Sequence, residues 1–387
     1  MPGTLTVSAD VLRWAARRAM LSDAQLTLRF RQWPQWLSGE SGPSLRQLEK
    51  LAKLCNTATG YFFLPQAPVL KLPIADFRSA QMLDDEEPSS ALLDTLHACQ
   101  NRQAWYKEQL LKEAAQPPPL VGCNRLEEPA LKSAAAIRCI LNFTLSQQQE
   151  CKGWEEALRR LVKAVEEAGV LVMINSVVNH NNRRKLDLQE FRAFSLCDKL
   201  APLIFINGAD SKAAQMFSIA HELAHISLGL SGISDSSADS LHERKTEEHC
   251  NRVAAEFLVP IKDIKNNYLP RAGLDANVAE LGRLYKVSSL VILRRLFDAG
   301  FIDPKTLREK YRLEQERFQK LRKTGRGGDF YRSLIQRNSR RFTQTLVNST
   351  MNEETLLRDA LSLLGIKSLT TFDSLAVEFG ADDGLLA

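Results

Sequence analysis

A histidine pair in the segment HELAH, at positions 221–225, constrains this chain more than any other feature of its sequence. The segment lies inside residues 212–228, where apolar residues recur with the period of an α-helix. Side chains four positions apart stand one above the other on a helix, so His221 and His225 can both bind one Zn²⁺ at about 2.0–2.1 Å. Glu222 lies beside that face, where it can act as a general base for a water molecule without binding the metal. The spacing therefore predicts a helix that supplies two ligands and a base to a zinc site.

A catalytic zinc site needs a third protein ligand and one open position. Glu247 is the strongest candidate, because it lies near the start of a second predicted helix and shares a face of that helix with Asn251. One of the two can bind the metal while the other hydrogen-bonds the outer nitrogen of a ligand histidine. We predict Glu247 as the ligand and Asn251 as the hydrogen-bonding neighbour. The competing ligands are Glu248 and His249 on the same helix, and Asp235, Asp239, His242 and Glu243 in the connecting loop.

The 387 residues are too many for one ordinary domain and predict two or three. Apolar periodicity and proline-rich breaks divide the chain into a bundle of short helices at 1–68, a helical linker at 69–118, a domain at 119–265, a helix-turn-helix-like subdomain at 266–315 and an accessory region at 316–387. The third region has strand-like segments at 170–174, 191–196 and 203–206. Their order predicts a mostly helical α+β fold with a small sheet, whose exposed edge near 191–196 can bind an extended peptide.

Composition predicts a reducing, aqueous environment. No window approaches the roughly 18 apolar residues of a membrane span, and the first 30 residues contain no apolar run of signal-peptide length. The seven cysteines form no CxxC pair, which is typical of reduced thiols. We therefore predict a cytoplasmic protein without a membrane partner.

The net charge of +5 is too small to establish a nucleic-acid partner, but cations cluster in two places. Arg29 and Arg31 border residues 32–38, the predicted recognition segment of the N-terminal bundle. The second cluster is glycine-rich, precedes an acidic segment at 353–383, and comprises Lys320, Arg322, Lys323 and Arg326. These six side chains are the predicted DNA contacts. The alternatives are a protein-docking bundle for the first cluster and a solvated connector for the second.

Three segments resemble the ImmA/IrrE family of zinc metallopeptidases. They read APLIFIN at 201–207, MFSIAHELAH at 216–225 and EEHCNRVAAEFLVP at 247–260. Residues 30–68, together with Asp-Phe-Arg at 76–78, resemble the XRE-type helix-turn-helix region that is often fused to such peptidases. The resemblance implies a zincin-like peptidase domain of the gluzincin type, with His221, His225 and Glu247 as zinc ligands and Glu222 as general base.

The same resemblance implies a function and a kind of partner. It predicts an intracellular zinc-dependent endopeptidase that cleaves one protein, a repressor or regulatory partner, in a stress, mobile-element or anti-phage response. One alternative is a DNA-binding transcriptional regulator or antitoxin-like protein that uses the zinc fold as scaffold or sensor. Glu222 argues against it, because a purely structural site has no use for a general base. A third possibility is a latent peptidase whose site opens when a ligand or nucleic acid binds the accessory region.

Overall fold

The computed structural model describes residues 5–68, 75–77, 88–234, 241–321 and 330–380. The chain forms two compact units. The first comprises Met1–Pro73 and Gln81–His97, and the second comprises Ile74–Ala80 and Ala98–Ala387. The chain thus enters the second unit briefly at residues 74–80 before it returns to the first.

The first unit has a small helical core. Its helices are α1 (Ala9–Arg18), α2 (Asp23–Arg29), α3 (Trp33–Ser38) and α4 (Leu45–Cys55), and a 3-10 helix follows at Thr59–Phe63. Ser22 and Ser44 begin α2 and α4 as capping boxes, each accepting a hydrogen bond from a backbone N–H three residues later. The buried side chains of Trp14, Trp33 and Trp36 fill the centre of this core.

Helices dominate the second unit. They are α5 (Ser90–Lys112, which begins in the first unit), α6 (Ala130–Leu141), α7 (Leu145–Gln149), α8 (Trp154–Glu167), α9 (Lys212–Ser227), α10 (Leu241–Leu258), α11 (Ile261–Asn267), α12 (Leu274–Tyr285), α13 (Ser289–Asp298), α14 (Pro304–Leu321), α15 (Phe330–Asn338), α16 (Arg340–Met351), α17 (Leu357–Leu364) and α18 (Leu369–Glu378). This content agrees with the predicted mostly helical α+β class.

A five-stranded mixed sheet lies at the centre of the second unit. Its strands are β1 (Ala75–Phe77), β2 (Leu171–Asn175), β5 (Ala193–Leu196), β6 (Leu203–Asn207) and β7 (Gly232–Ser234), in the order β1-β7-β5-β6-β2. β3 (Val177–Val178) and β4 (Asn181–Lys185) form a separate antiparallel hairpin. β2 and β6 pair in parallel and are buried along their whole length, which explains why both read as continuous apolar runs.

The prediction of an exposed sheet edge at residues 191–196 is wrong. β5 lies between β6 and β7 and pairs antiparallel with both of them. The strand that covers it comes from the connection between α9 and α10, and its three residues are too few for a periodic signal in the sequence. The β5 edge is therefore occupied by the chain itself.

The end of α10 is held by side chains from three other helices. Its last carbonyls, those of Phe257 and Leu258, and the next one, of Val259, accept hydrogen bonds from Arg138, Gln148 (3.0 Å) and Arg295 (2.8 Å) respectively. Arg295 also forms an ion pair with Glu256, and both side chains are less than a tenth exposed. Cationic donors at a helix C-terminus satisfy free carbonyls and oppose the negative end of the helix dipole. These contacts fix the position of the helix that carries Glu247.

The helix-turn-helix-like pair α12 and α13 is packed against its surroundings. Tyr311 of α14 donates a hydrogen bond to the Leu290 carbonyl of α13 (3.0 Å), and Ser289 donates one to the Glu314 carboxylate. Arg295, on the opposite side of α13, is buried against α10. α13 is thus covered by α14 on one side and by α10 on another, and its exposed positions are Arg294 and Asp298.

The C-terminal helices are tied to the rest of the second unit by hydrogen bonds. Ser339, at the start of α16, donates to the buried Glu166 carboxylate, which also accepts from the Arg340 backbone N–H at 2.9 Å. Arg341 donates to the Tyr106 hydroxyl at 2.7 Å. These bonds attach α16 to α8 and α5.

Among the described residues no single helix is long and apolar enough to cross a membrane. α17 and α18 meet the length and composition requirement as a pair, with a bend of 86° between them.

We predict that Arg295→Ala lowers the free energy of unfolding of the second unit by about 3–5 kcal/mol, because it leaves the Glu256 carboxylate buried without its partner. Urea denaturation followed by circular dichroism measures the change. Arg294→Ala is the matched control, since Arg294 is exposed and its pair with Asp298 lies at the surface. Equal losses in the two variants would show that the buried pair does not support α10.

Candidate metal centre

The local sequence fixes the orientation of α9. Ser211 caps the helix by accepting a hydrogen bond from the Ala214 backbone N–H at 3.2 Å. The buried Gln215 side chain donates to the carbonyls of Gly208 (3.2 Å) and Asp210 (2.7 Å), which joins the first turn of the helix to the end of β6. The apolar side of α9 packs on β5 and β6 in the main core. His221 and His225 therefore point to the opposite partner, α10.

Three ligand atoms converge between α9 and α10. The Nε2 atoms of His221 and His225 lie 3.0 Å apart. One oxygen of Glu247 lies 3.2 Å from the first nitrogen and the other lies 2.9 Å from the second. Ligands about 2.0–2.1 Å from a tetrahedral ion are about 3.3–3.4 Å from one another. The spacing of these atoms thus fits a single zinc ion.

The tautomer of His221 also fits metal binding. Its Nδ1 atom lies 3.1 Å from the side-chain oxygen of Asn251, to which it donates its proton. A neutral imidazole that donates from Nδ1 keeps the lone pair of Nε2 for a metal. Asn251, one turn after Glu247 on α10, thereby orients one ligand from the helix that supplies another.

The electrostatics of the cluster favour a cation. Burial alone would raise the pKa of the Glu247 carboxyl group, but hydrogen bonds from His221 and His225 lower that pKa to about 2. Burial would lower the pKa of His221, yet the hydrogen bond to Glu247 and its negative charge outweigh burial and raise it. The same atoms that share protons with one another are those that would bind a divalent ion.

Glu222 and Cys250 complete the surroundings. Glu222 is fully buried on α9 directly after His221, and its charge contributes to the raised pKa of His221. Burial raises the pKa of the Cys250 thiol well above its usual value, and the charges of Glu247 and Glu222 act in the same direction. Cys250 is therefore a neutral thiol that packs beside the site, and it does not serve as a nucleophile.

The competing ligands that the structure describes, Glu248 and His249, do not join this cluster. Glu248 is exposed to solvent. His249 is buried, and burial together with the charge of Arg252 lowers its pKa, but it is not among the three converging ligands. Asp235 and Asp239 lie outside the described residues, and so do the side chains of His242 and Glu243.

The structure describes two of the six predicted nucleic-acid contacts. Arg29 and Arg31 line an open groove in the first unit together with Phe30, Gln32, Gln47 and Lys50. Gln47 and Lys50 were not among the predicted nucleic-acid contacts, although their spacing places both on the polar side of α4. Arg322, Lys323 and Arg326 lie outside the described residues, and so does the side chain of Lys320.

The predicted recognition segment itself offers little to DNA. Its helix, α3, begins with Trp33 and Pro34, and the side chains of Trp33 and Trp36 are buried in the core of the first unit. The residues that remain exposed are Pro34, Gln35 and Ser38, none of which carries a charge. α3 itself therefore offers no cation for a phosphate contact.

The second unit combines an α+β fold with a converging His-His-Glu cluster. Residues 165–297 match the family model for peptidase family M78, the IrrE N-terminal-like domain. This match contains all three converging ligands and supports the ImmA/IrrE family for that part of the chain. Residues 338–378 match a domain of unknown function (DUF8813), and neither match covers the N-terminal bundle. No curated protein matches the chain.

We predict that the purified protein binds about one zinc ion per chain and that Glu247→Ala loses most of it, because two imidazoles alone leave the site one ligand short. Inductively coupled plasma mass spectrometry after dialysis measures the content. Glu248→Ala, which changes the exposed neighbour on the same helix, should keep the metal. Full occupancy in Glu247→Ala together with loss in Glu248→Ala or His249→Ala would assign the third ligand elsewhere.

Proposed function

We propose that this protein is an intracellular zinc-dependent endopeptidase that cleaves a specific regulatory protein, such as a repressor, in a stress, mobile-element or anti-phage response. The observation that carries the proposal is that Glu222 is fully buried on α9 directly after His221, in a cluster where the Nε2 atoms of His221 and His225 face the Glu247 carboxylate. The match to a metallopeptidase family supports the reaction class. The narrow substrate follows from the family resemblance, and the seven free cysteines agree with an intracellular protein.

The number of ligands favours catalysis over a structural role. Structural zinc sites use four protein ligands, whereas catalytic sites use three and keep one position open. Among the described residues, the converging set is His221, His225 and Glu247, without a fourth member. An open position is what a water molecule or a substrate carbonyl needs.

The chemistry divides between the bound ion and the protein. A zinc ion held by these residues lowers the pKa of water to near neutral and polarises a peptide carbonyl. His221, His225 and Glu247 hold it, and Asn251 fixes the ring orientation of His221. Glu222 takes a proton from the attacking water and delivers it to the nitrogen of the leaving amine. Because Glu222 is buried away from water, its interactions with charge that develops beside it are stronger.

We predict that Glu222→Gln folds and retains zinc but loses peptide cleavage by about 10²- to 10⁴-fold, because an amide cannot accept the proton of water. Quantitative proteomics of cells that express the wild type or Glu222→Gln should show one protein that is lost with the wild type alone. Cleavage of that protein by purified enzyme, with zinc content and melting temperature from the same preparations, completes the test.

The matched control for this variant is Glu248→Gln, which makes the same chemical change at an exposed position on α10. It should cleave at the wild-type rate. Equal cleavage by wild type and Glu222→Gln would contradict the peptidase proposal and favour a regulator in which the zinc fold is a scaffold or sensor.

A DNA-binding role is the second candidate function. It is favoured by the groove of the first unit, whose charged lining consists of Arg29, Arg31 and Lys50 without an acidic side chain. Such a groove suits the phosphates of a nucleic acid, whereas α3 exposes no charged side chain. We therefore propose backbone contact by the groove.

We predict that any DNA affinity falls steeply with salt and that the slope of its logarithm decreases by about one for each of Arg29→Ala and Arg31→Ala, because each removes a phosphate contact. Fluorescence anisotropy with random and promoter-derived duplexes, over a series of salt concentrations, measures the slope. Arg13→Ala, which removes an exposed cation near Asp10 on α1, should leave it unchanged. Salt-independent binding, or none at low salt, would exclude DNA from the function.

A further inference from the structure

The ligands and the base are almost completely buried in this structure. His221 and Glu247 are each 5% exposed, and Glu222 and His225 are 0% exposed. A scissile carbonyl must come into contact with the metal, and its attacking water must reach Glu222. A substrate therefore has to bind on a surface beside these side chains from which its carbonyl can reach them.

The structure also shows what occupies the free edge of β5, the strand that packs under α9. Extended peptides commonly bind enzymes by adding a strand to a sheet, which supplies main-chain hydrogen bonds without much side-chain selection. β5 packs under α9, and its edge away from β6 is taken by β7. β7 runs antiparallel to β5, with Phe194 opposite Ile233 and Ser195 opposite Gly232. The chain's own strand thus makes the backbone contacts that an added peptide would make.

The position of β7 is linked directly to the metal ligands. After α9 the chain turns at Gly229, whose φ of +76° suits glycine, and the Leu230 backbone N–H donates to the His225 carbonyl at 3.0 Å. Ser231 then accepts a hydrogen bond from the Cys197 backbone N–H at 2.6 Å, just beyond the end of β5. The helix that carries the ligands is therefore followed within a few residues by the turn at Gly229, by Ser231 and by the strand β7.

The pairing that holds β7 is short on both sides. β7 has three residues, and its other edge pairs in parallel with the three residues of β1. β1 belongs to the second unit, whereas the described residues before and after it, 5–68 and 88–97, belong to the first. Strands of this length make few backbone hydrogen bonds, each of modest net strength, so exchange for a longer peptide strand is feasible.

We infer that β7 is a removable strap on the substrate-binding edge of β5, held by Ser231 and reinforced by β1, and that this structure is the latent form of the enzyme. The inference rests on the proposed peptidase function and identifies the occupant that replaces the strap. That occupant is an extended segment of the substrate protein, bound antiparallel to β5. The latency of the enzyme then resides in the peptidase domain and its linker strand.

The test measures access to the site without relying on catalysis. The zinc-loaded full-length protein is mixed with 1,10-phenanthroline, and the rate of zinc removal is recorded for wild type and for Ser231→Ala. Hydrogen–deuterium exchange of the amides of residues 193–197 is followed in parallel. Loss of one neutral hydrogen bond should speed both processes by about two- to tenfold. Ser146→Ala, an exposed serine on α7, is the matched control and should change neither rate.

A second variant addresses the other side of the strap. Asp76→Pro removes a backbone N–H from β1 while it leaves Ser231 and β7 unchanged, and it should also accelerate both processes. Wild-type rates of zinc removal and of exchange in both variants, at unchanged melting temperatures, would overturn the inference.

Cleavage of the substrate protein identified by proteomics separates this inference from the proposed function. Faster zinc removal with faster cleavage supports both. Faster zinc removal and faster exchange with no cleavage by any variant would support the inference about β7 and contradict the proposed peptidase function. Faster exchange with an unchanged rate of zinc removal would show that β7 does not control access to the site and would overturn the inference.

Discussion

The buried carboxylate of Glu247, shared between the imidazoles of His221 and His225, is the interaction on which this structure depends. A carboxylate that is removed from water destabilises a protein by roughly several kcal/mol unless charged or hydrogen-bonded partners compensate for it. Here the compensation requires α9 and α10 to lie side by side in a fixed register. The geometry that makes the carboxylate tolerable is also the geometry that three ligands of one ion require.

Elements that are remote from the chemistry keep α10 in that register. Arg138 of α6, Gln148 of α7 and Arg295 of α13 hold its last carbonyls. The helix-turn-helix-like subdomain thereby acquires a structural role, because α13 is needed to neutralise Glu256 next to the end of α10. A motif whose outline suggests DNA binding serves in this chain to position a metal ligand.

Local features of the sequence predicted the helical half of the site. The spacing of His221 and His225 within an apolar period identified α9, and the same rule placed Glu247 and Asn251 on one face of α10, where Asn251 contacts His221. The position of β7 could not be predicted, because three residues carry no period and their partner strands are distant in sequence. Burial of α13 was also beyond prediction, since it depends on Tyr311 and Arg295 reaching other helices.

The proposed zinc ligands of this chain are two imidazoles and one carboxylate, without sulfur. X-ray absorption spectroscopy at the zinc edge of the purified protein tests this ligand set. We predict a first shell of nitrogen and oxygen at about 2.0–2.1 Å, with the outer-shell scattering of two histidine rings. A sulfur contribution at about 2.3 Å, which would place the Cys250 thiolate on the metal, or a shell without imidazole would contradict it.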